Sequence, residues 1–157
     1  MEFKRVLFLK KQMAKKVGKT SPVLSEEEVF AMDALTLAYM GDVCWSYFIR
    51  KALIDTGIYK VQILNSLASE IVSARWQSRI LFEIREFLNT RERMVCKRAR
   101  NTNSHVPKSA TMEEYRESTS FEGLLGYLYL SGQTERMDFL MNKSLEYVAG
   151  EMSHENG

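Results

Sequence analysis

Histidine and cysteine, on which most zinc sites and many nucleophilic sites depend, are scarce in this chain. The two histidines, His105 and His154, lie far apart, and the two cysteines, Cys44 and Cys96, have no CxxC spacing. Local spacing therefore offers neither a zinc ligand set nor a serine–histidine triad. Two isolated thiols favour a reducing compartment over a disulfide framework, and we expect a cytoplasmic protein.

Long apolar runs and nucleotide-binding glycine motifs are also missing. The chain has no Walker lysine motif, no GxGxxG and no apolar stretch near the ~20 residues that a membrane span requires. Its N-terminal apolar stretch, residues 6–9, is too short for a secretory signal because lysines follow at once. We therefore expect no membrane partner.

Positive charge is concentrated at the N-terminus. Residues 1–19 carry seven lysines and arginines against one glutamate, a net charge of +6, so the other 138 residues carry −4 of the overall +2. We divide the chain into a basic extension, 1–24, a single domain, 25–152, and a tail, 153–157. Such an extension is typical of a mobile arm that contacts nucleic acid, and an amphipathic targeting peptide is the alternative.

Two carboxylates stand alone in otherwise uncharged segments. Asp42 is the only charge in residues 34–49, and Glu122 is the only charge in residues 119–131. The apolar residues around each acid have the three-and-four spacing of a buried helix. We therefore expect both acids to face the core.

A buried carboxylate requires a cation or hydrogen-bond donors in place of its water. One explanation is a structural ion pair with an arginine such as Arg75 or Arg116. The other is a shared divalent metal, because hard cations such as Mg²⁺ accept a few carboxylate oxygens and keep several waters. The presence of two isolated acids favours the metal.

The rest of the sequence predicts helices and no strand pair. A helix begins at Ser25, where an N-cap residue precedes three glutamates, and an apolar helix from about residue 32 ends at Gly57. Apolar residues within 63–89 fit one long helix or two with a bend. Further helices are predicted at about 90–100, 111–130 and 135–152, so we expect an all-α domain.

A basic polar segment separates two of these helices. It gathers cations and hydrogen-bond donors at Lys97, Arg98, Arg100, Asn101, Asn103, Ser104, His105 and Lys108. Such a run is usually a solvated helix end, but beside two metal-poised carboxylates it suits contacts to RNA phosphates and sugars. No aromatic platform for single-stranded bases is evident, which favours a duplex held by its backbone.

Four blocks resemble Mini-ribonuclease III, the compact bacterial branch of the ribonuclease III family that lacks a separate double-stranded-RNA-binding domain. They read LAYMGDVCWSYFIRKAL, VSARWQSRIL, CKRARNTNSHVPKSATMEEYRESTSFEGLLGYLYL and ERMDFL, in that order. The resemblance runs from about residue 32 to 141 and leaves the basic extension outside.

The resemblance implies an all-α ribonuclease III endonuclease-domain fold that works as a homodimer. It assigns Asp42 and Glu122 as the catalytic, metal-binding acids, with Mg²⁺ as cofactor or Mn²⁺ in its place. The RNA-binding residues that go with this assignment are Lys97, Arg98, Arg100, Asn101, Lys108, Arg75 and Gln77. Larger family members place further acids where this chain has Leu35, Ala38 and Thr119, so its metal site is expected to be poorer in carboxylates.

The implied activity is hydrolysis of double-stranded RNA to 5′-phosphomonoester ends, in the maturation of precursor 23S ribosomal RNA. The alternative is a catalytically idle RNA-binding or ribosome-associated module on the same fold. An idle relative would be free to lose Asp42 or Glu122, and both are present. A helical dimerisation scaffold, the third reading, explains the apolar helices but not the two acids beside a basic segment.

Overall fold

A computed structural model describes residues 2–19, 24–102, 108 and 110–154, and within these ranges the secondary structure is helical, with no strand. The helices are α1 Phe3–Lys16, α2 Glu26–Phe30, α3 Ala34–Asp55, α4 Val61–Ile71, α5 Ala74–Ile84, α6 Thr90–Arg100, α7 Met112–Leu130 and α8 Thr134–His154, with a 3₁₀ turn at Arg85–Phe87. The all-α prediction is confirmed. None of the described helices is long and apolar enough to cross a membrane.

Side-chain caps determine where several helices begin. Ser25 caps α2, as the sequence predicted, because its hydroxyl accepts a hydrogen bond from the Glu28 amide. The Glu28 carboxylate in turn accepts a hydrogen bond from the Ser25 amide. That helix ends after five residues, and Asp33 caps a separate α3. Residues 63–89 form two main helices rather than one, because Ser73 accepts from the Trp76 amide and begins α5.

The central element is α7. It packs mainly against α3, α5 and α6, and it has smaller contacts with α8 and α2. Most of residues 117–128 are buried, including Phe121, whose ring meets Trp45 of α3 edge to face at 5.0 Å between centroids. A helix enclosed on nearly all sides is apolar on nearly all sides, which explains the uncharged segment around Glu122.

The backbones of α3 and α7 touch where the two helices cross. A Cβ atom at Gly41 would overlap the Glu122 carbonyl group, and one at Gly126 would overlap the Leu37 carbonyl group. Only glycine fits at either position. The crossing therefore places Asp42, the residue after Gly41, beside Glu122.

The basic extension contains a helix, α1. None of the residues of α1 is buried, and its apolar side chains, among them Phe3, Leu7 and Phe8, are exposed. Lys15 and Lys16 lie in its last turn, where cations interact favourably with the helix dipole.

Candidate active site

Asp42 on α3 and Glu122 on α7 line one cleft of about 300 Å³, which we call the acidic cleft. Its other lining residues are Leu35, Ala38, Tyr39, Val72, Ala74, Gln77, Tyr115, Ser118 and Thr119, none of them cationic. Neither acid forms an ion pair with any residue that the structure describes. Arg75 and Arg116 are both exposed, so the structural ion pair considered for these acids is not observed.

The prediction that both acids face the core is wrong for Asp42. Its side chain is exposed in the single chain, as are Leu35, Tyr39 and Val43 on the same side of α3. Because α3 is apolar around most of its circumference, the spacing of apolar residues did not show which side packs against α7. Glu122 is half-buried, closer to the expectation.

The environment of Glu122 disfavours its charged form. Burial, followed by the nearby charge of Asp42, raises the pKa of the Glu122 carboxyl to about 8, and the Gln77 amide acts in the opposite direction. A cation beside the two carboxylates would offset both effects, because it replaces lost hydration and separates two like charges.

Gln77 on α5 is the buried polar group of this cleft. Its side chain is 1 % exposed, and neither its amide nitrogen nor its oxygen has a hydrogen-bond partner among the described residues. It lies near enough to Glu122 to affect that pKa, although it makes no hydrogen bond of ordinary geometry with it. Leaving such a group unsatisfied costs about 1–3 kcal/mol.

The donor set fits a hydrated hard cation. Two carboxylates can bind Mg²⁺ directly, and its retained waters can satisfy the amide of Gln77. Groups of three or more histidine, cysteine, aspartate or glutamate side chains suited to a metal do not occur in the described ranges. The site is thus poor in carboxylates, and Thr119 lies in the cleft wall.

The residues predicted to bind RNA do not form one group. Lys97 and Arg100 line a second cleft together with Glu117, whereas the Arg98 guanidinium stacks on the Phe30 ring at 4.4 Å and donates to the Phe30 carbonyl. Gln77 lies in the acidic cleft, whereas Arg75, Asn101 and Lys108 are exposed and line neither cleft. Asn103, Ser104 and His105 fall outside the described residues. All these RNA-binding assignments stay predictions.

Two tyrosines of the acidic cleft were not among the predicted site residues. Tyr39 is 79 % exposed at one wall, and Tyr115 lines the cleft from the start of α7. Tyr39 precedes Asp42 by three residues and Tyr115 precedes Glu122 by seven, so each shares a helical face with its acid. That spacing is the signal that would have found them.

The model of the ribonuclease III domain matches residues 35–133, a stretch that contains both acids and more than half of the chain. This chain belongs to the ribonuclease III family. Mini-ribonuclease 3 of Symbiobacterium thermophilum is 40 % identical over 115 residues, which cover 73 % of this chain and 88 % of that protein. Mini-ribonuclease 3 of Streptococcus pneumoniae is 36 % identical, with 78 % of this chain and 98 % of that protein covered.

A crystal structure of a protein from Fusobacterium nucleatum has the same fold. It superposes with a TM-score of 0.68 at 32 % sequence identity, and the match covers 77 % of this chain and 95 % of that one. The resemblance to Mini-ribonuclease III is confirmed, and with it the ribonuclease III fold. The protein is an endoribonuclease, which sets aside the idle module and the scaffold without an RNA role.

Proposed function

We propose that this ribonuclease III family member hydrolyses double-stranded RNA with a divalent cation, Mg²⁺ or Mn²⁺, held by Asp42 and Glu122. The observation that supports it most directly is the acidic cleft itself. Two carboxylates from different helices share that cleft with a buried, unpartnered Gln77 amide and with no described cation. A divalent ion would balance the two carboxylates, and its waters would give the Gln77 amide hydrogen-bond partners.

When bound, Mg²⁺ supplies Lewis-acid stabilisation of the phosphate and lowers the pKa of a bound water. The chain positions that chemistry through the backbone contact at Gly41, which fixes Asp42 relative to Glu122. The hydroxyls of Ser118 and Thr119 both donate to the Tyr115 carbonyl oxygen. These hydroxyls are engaged within α7, which supports water rather than a side chain as the nucleophile. Departure of the 3′ oxygen then leaves a 5′ phosphate.

A homodimer is part of this proposal, as the family resemblance implies. Tyr39, Val43 and Tyr47 form an exposed apolar face on α3, beside a groove of about 450 Å³ whose wall includes Phe48 and Met141. Contiguous apolar surface of this kind marks interaction sites. Asp42 lies beside this face, next to Tyr39 on the helix surface, so a second copy packed there would arrange two acidic clefts by twofold symmetry.

The proposed substrate is a duplex region of precursor ribosomal RNA, 23S in the family to which the resemblance points, and the proposed location is the cytoplasm. No described residue of the acidic cleft is arranged to read a base sequence, so selection rests on duplex shape and backbone.

A cleavage assay tests the function. Long double-stranded RNA and a single strand of the same sequence are incubated with the enzyme in Mg²⁺, Mn²⁺ or EDTA. Cleavage of the duplex alone, only with a metal and with 5′-phosphate ends, is the expected result. Equal cleavage of the single strand, or full activity in EDTA, would contradict the proposal.

A further inference from the structure

A second cleft, of about 260 Å³, lies on the other side of the α5–α7 contact and is not used by the proposed chemistry. Four cations line it, Arg85, Arg93, Lys97 and Arg100, against one carboxylate, Glu117. We call it the basic cleft. The two clefts segregate charge within one turn of α7, since Ser118 and Thr119 face the acidic cleft while Glu117 and Ser120 face the basic one.

Glu117 is the internal counter-ion of the basic cleft. Its side chain is only 8 % exposed, and its two oxygens pair with different arginines, Oε2 with Arg85 Nη2 at 3.1 Å and Oε1 with Arg100 Nη1. A guanidinium carries five N–H donors, and these pairs use one from each arginine. The Arg85 and Arg100 side chains remain 50 % and 41 % exposed, so donors are left for an incoming anion.

The other two cations add charge that Glu117 does not balance. Arg93 is held in place by hydrogen bonds to the carbonyls of Leu88 and Arg85. Lys97 is exposed and has no ion pair within the described ranges. Burial raises the pKa of the Cys96 thiol in the same cleft to about 12, so this thiol is neutral at pH 7. The described residues that line this cleft therefore sum to a net charge of +3.

We propose that the basic cleft binds a phosphate of the RNA backbone as a site separate from the acidic cleft, and that Glu117 weakens this binding by competing for Arg85 and Arg100. Arginine forks and a lysine are the groups that hold phosphates in proteins. Glu117 and Glu122 are five residues apart on α7, which is ~7.5 Å along the helix axis. The inference rests on the proposed function, because it takes the same duplex as ligand.

Substitutions at Glu117 and Lys97 are expected to act in opposite directions. Glu117→Gln frees two guanidiniums, so it should tighten duplex binding and steepen its salt dependence. Lys97→Ala removes one phosphate contact and should make the slope of log K against log salt shallower by about 0.9. The affinity ratio of wild type to Lys97→Ala should then shrink about threefold between 50 and 200 mM salt.

The experiment measures duplex binding in EDTA across that salt range, for wild type, Glu117→Gln, Lys97→Ala and the control Lys51→Ala. Lys51 pairs with Asp55 on the surface of α3, away from the cleft, and its variant should bind as wild type does. An unchanged slope in Lys97→Ala would overturn the inference. This test does not require the Glu117→Gln variant to fold.

Two further arms separate the explanations. Calorimetric titration with inorganic phosphate tests a free anion as the ligand. The RNA assignment would be overturned if the wild type bound phosphate tightly and Lys97→Ala lost phosphate binding but kept its affinity for RNA. Cleavage of saturating duplex in Mg²⁺ tests the proposed function on its own. The control Lys51→Ala should keep this activity, whereas failure of the wild type to cleave would count against the acidic cleft and not against the salt slopes.

Discussion

At the scale of single residues, the charged form of Glu122 favours metal binding but lowers the stability of the metal-free protein. The raised pKa of its carboxyl means that the folded protein disfavours the charged form, chiefly through burial. The folded-state pKa lies above the unfolded one, so in the metal-free protein this residue costs stability increasingly as pH rises from about 4.5 towards 8. A bound cation reverses that cost.

Glu122→Gln should therefore raise the melting temperature in EDTA at pH 8, because it removes a charge that the folded state disfavours. At a hundredfold excess over its Kd, Mg²⁺ should add about 2.7 kcal/mol to the free energy of unfolding of the wild type. Its melting temperature should rise accordingly. Mg²⁺ should leave the melting temperature of Glu122→Gln unchanged. Differential scanning calorimetry measures both, and an equal response of the two proteins to Mg²⁺ would remove Glu122 from the metal site.

The identities of the two acids can be predicted from the sequence, but not their environments. Asp42 and Glu122 are recognisable because each is the only charge in a long apolar segment. Their exposure depends on which side of α3 meets α7, and a helix that is apolar nearly all round does not encode that choice. Gln77 illustrates the same point, since its burial beside Glu122 follows from the placement of α5.

At the scale of elements, the crossing of α3 and α7 determines the geometry of the site. Gly41→Ala forces a methyl group into the Glu122 backbone and should cost about 1–3 kcal/mol or more. Gly150→Ala is the matched control, because a Cβ there meets nothing within 4 Å and alanine is the better helix former by about 0.5–1 kcal/mol. Urea unfolding of the two variants measures the difference. Equal stability would mean that the crossing is not tight.

The helices themselves follow from local signals. Ser25 and its glutamates predict the start of α2 from caps alone, whereas the break before α5 depends on one hydrogen bond from the Trp76 amide to Ser73. The spacing of apolar residues across 63–89 fits one long helix as well as two, so the sequence did not decide between them. The helix in the basic extension was not predicted, since its charge indicated only a mobile arm or, as the alternative, an amphipathic targeting peptide.

Removal of residues 1–19 tests the role of α1. No residue of α1 is buried, so the deletion should leave the free energy of unfolding unchanged. The seven cations of residues 1–19 act through counterion release, and duplex affinity should therefore fall most at low salt and little at high salt. Fluorescence anisotropy with labelled duplex measures this. Unchanged affinity at low salt would favour the targeting interpretation, and loss of folding would show that α1 packs on the domain.

At the scale of the whole molecule, the exposed apolar face of α3 is the main feature that the single chain leaves unexplained. The fold class can be predicted from the sequence because the helical patterns and the four family blocks agree. The partner of this face cannot be predicted from the sequence, because Tyr39 and Tyr47 fit a core position and an interface equally well.

Tyr47→Glu places a charge in that face and should convert a dimer into a monomer, as measured by light scattering after size exclusion. Tyr59→Glu is the control, because Tyr59 is also highly exposed but lies in the loop between α3 and α4, outside the face. Duplex cleavage should fall with the dimer. A wild-type chain that is monomeric at micromolar concentration would contradict the homodimer.

The central claim is that Asp42 and Glu122 together hold the ion that drives cleavage. The most direct test is single-turnover cleavage of a long RNA duplex in Mg²⁺ by Asp42→Asn and Glu122→Gln, with Asp55→Asn as a matched exchange near the end of α3. We expect both site variants to lose at least about a hundredfold in rate and to retain duplex binding, while Asp55→Asn cleaves as wild type does. Wild-type cleavage by either site variant would contradict the account.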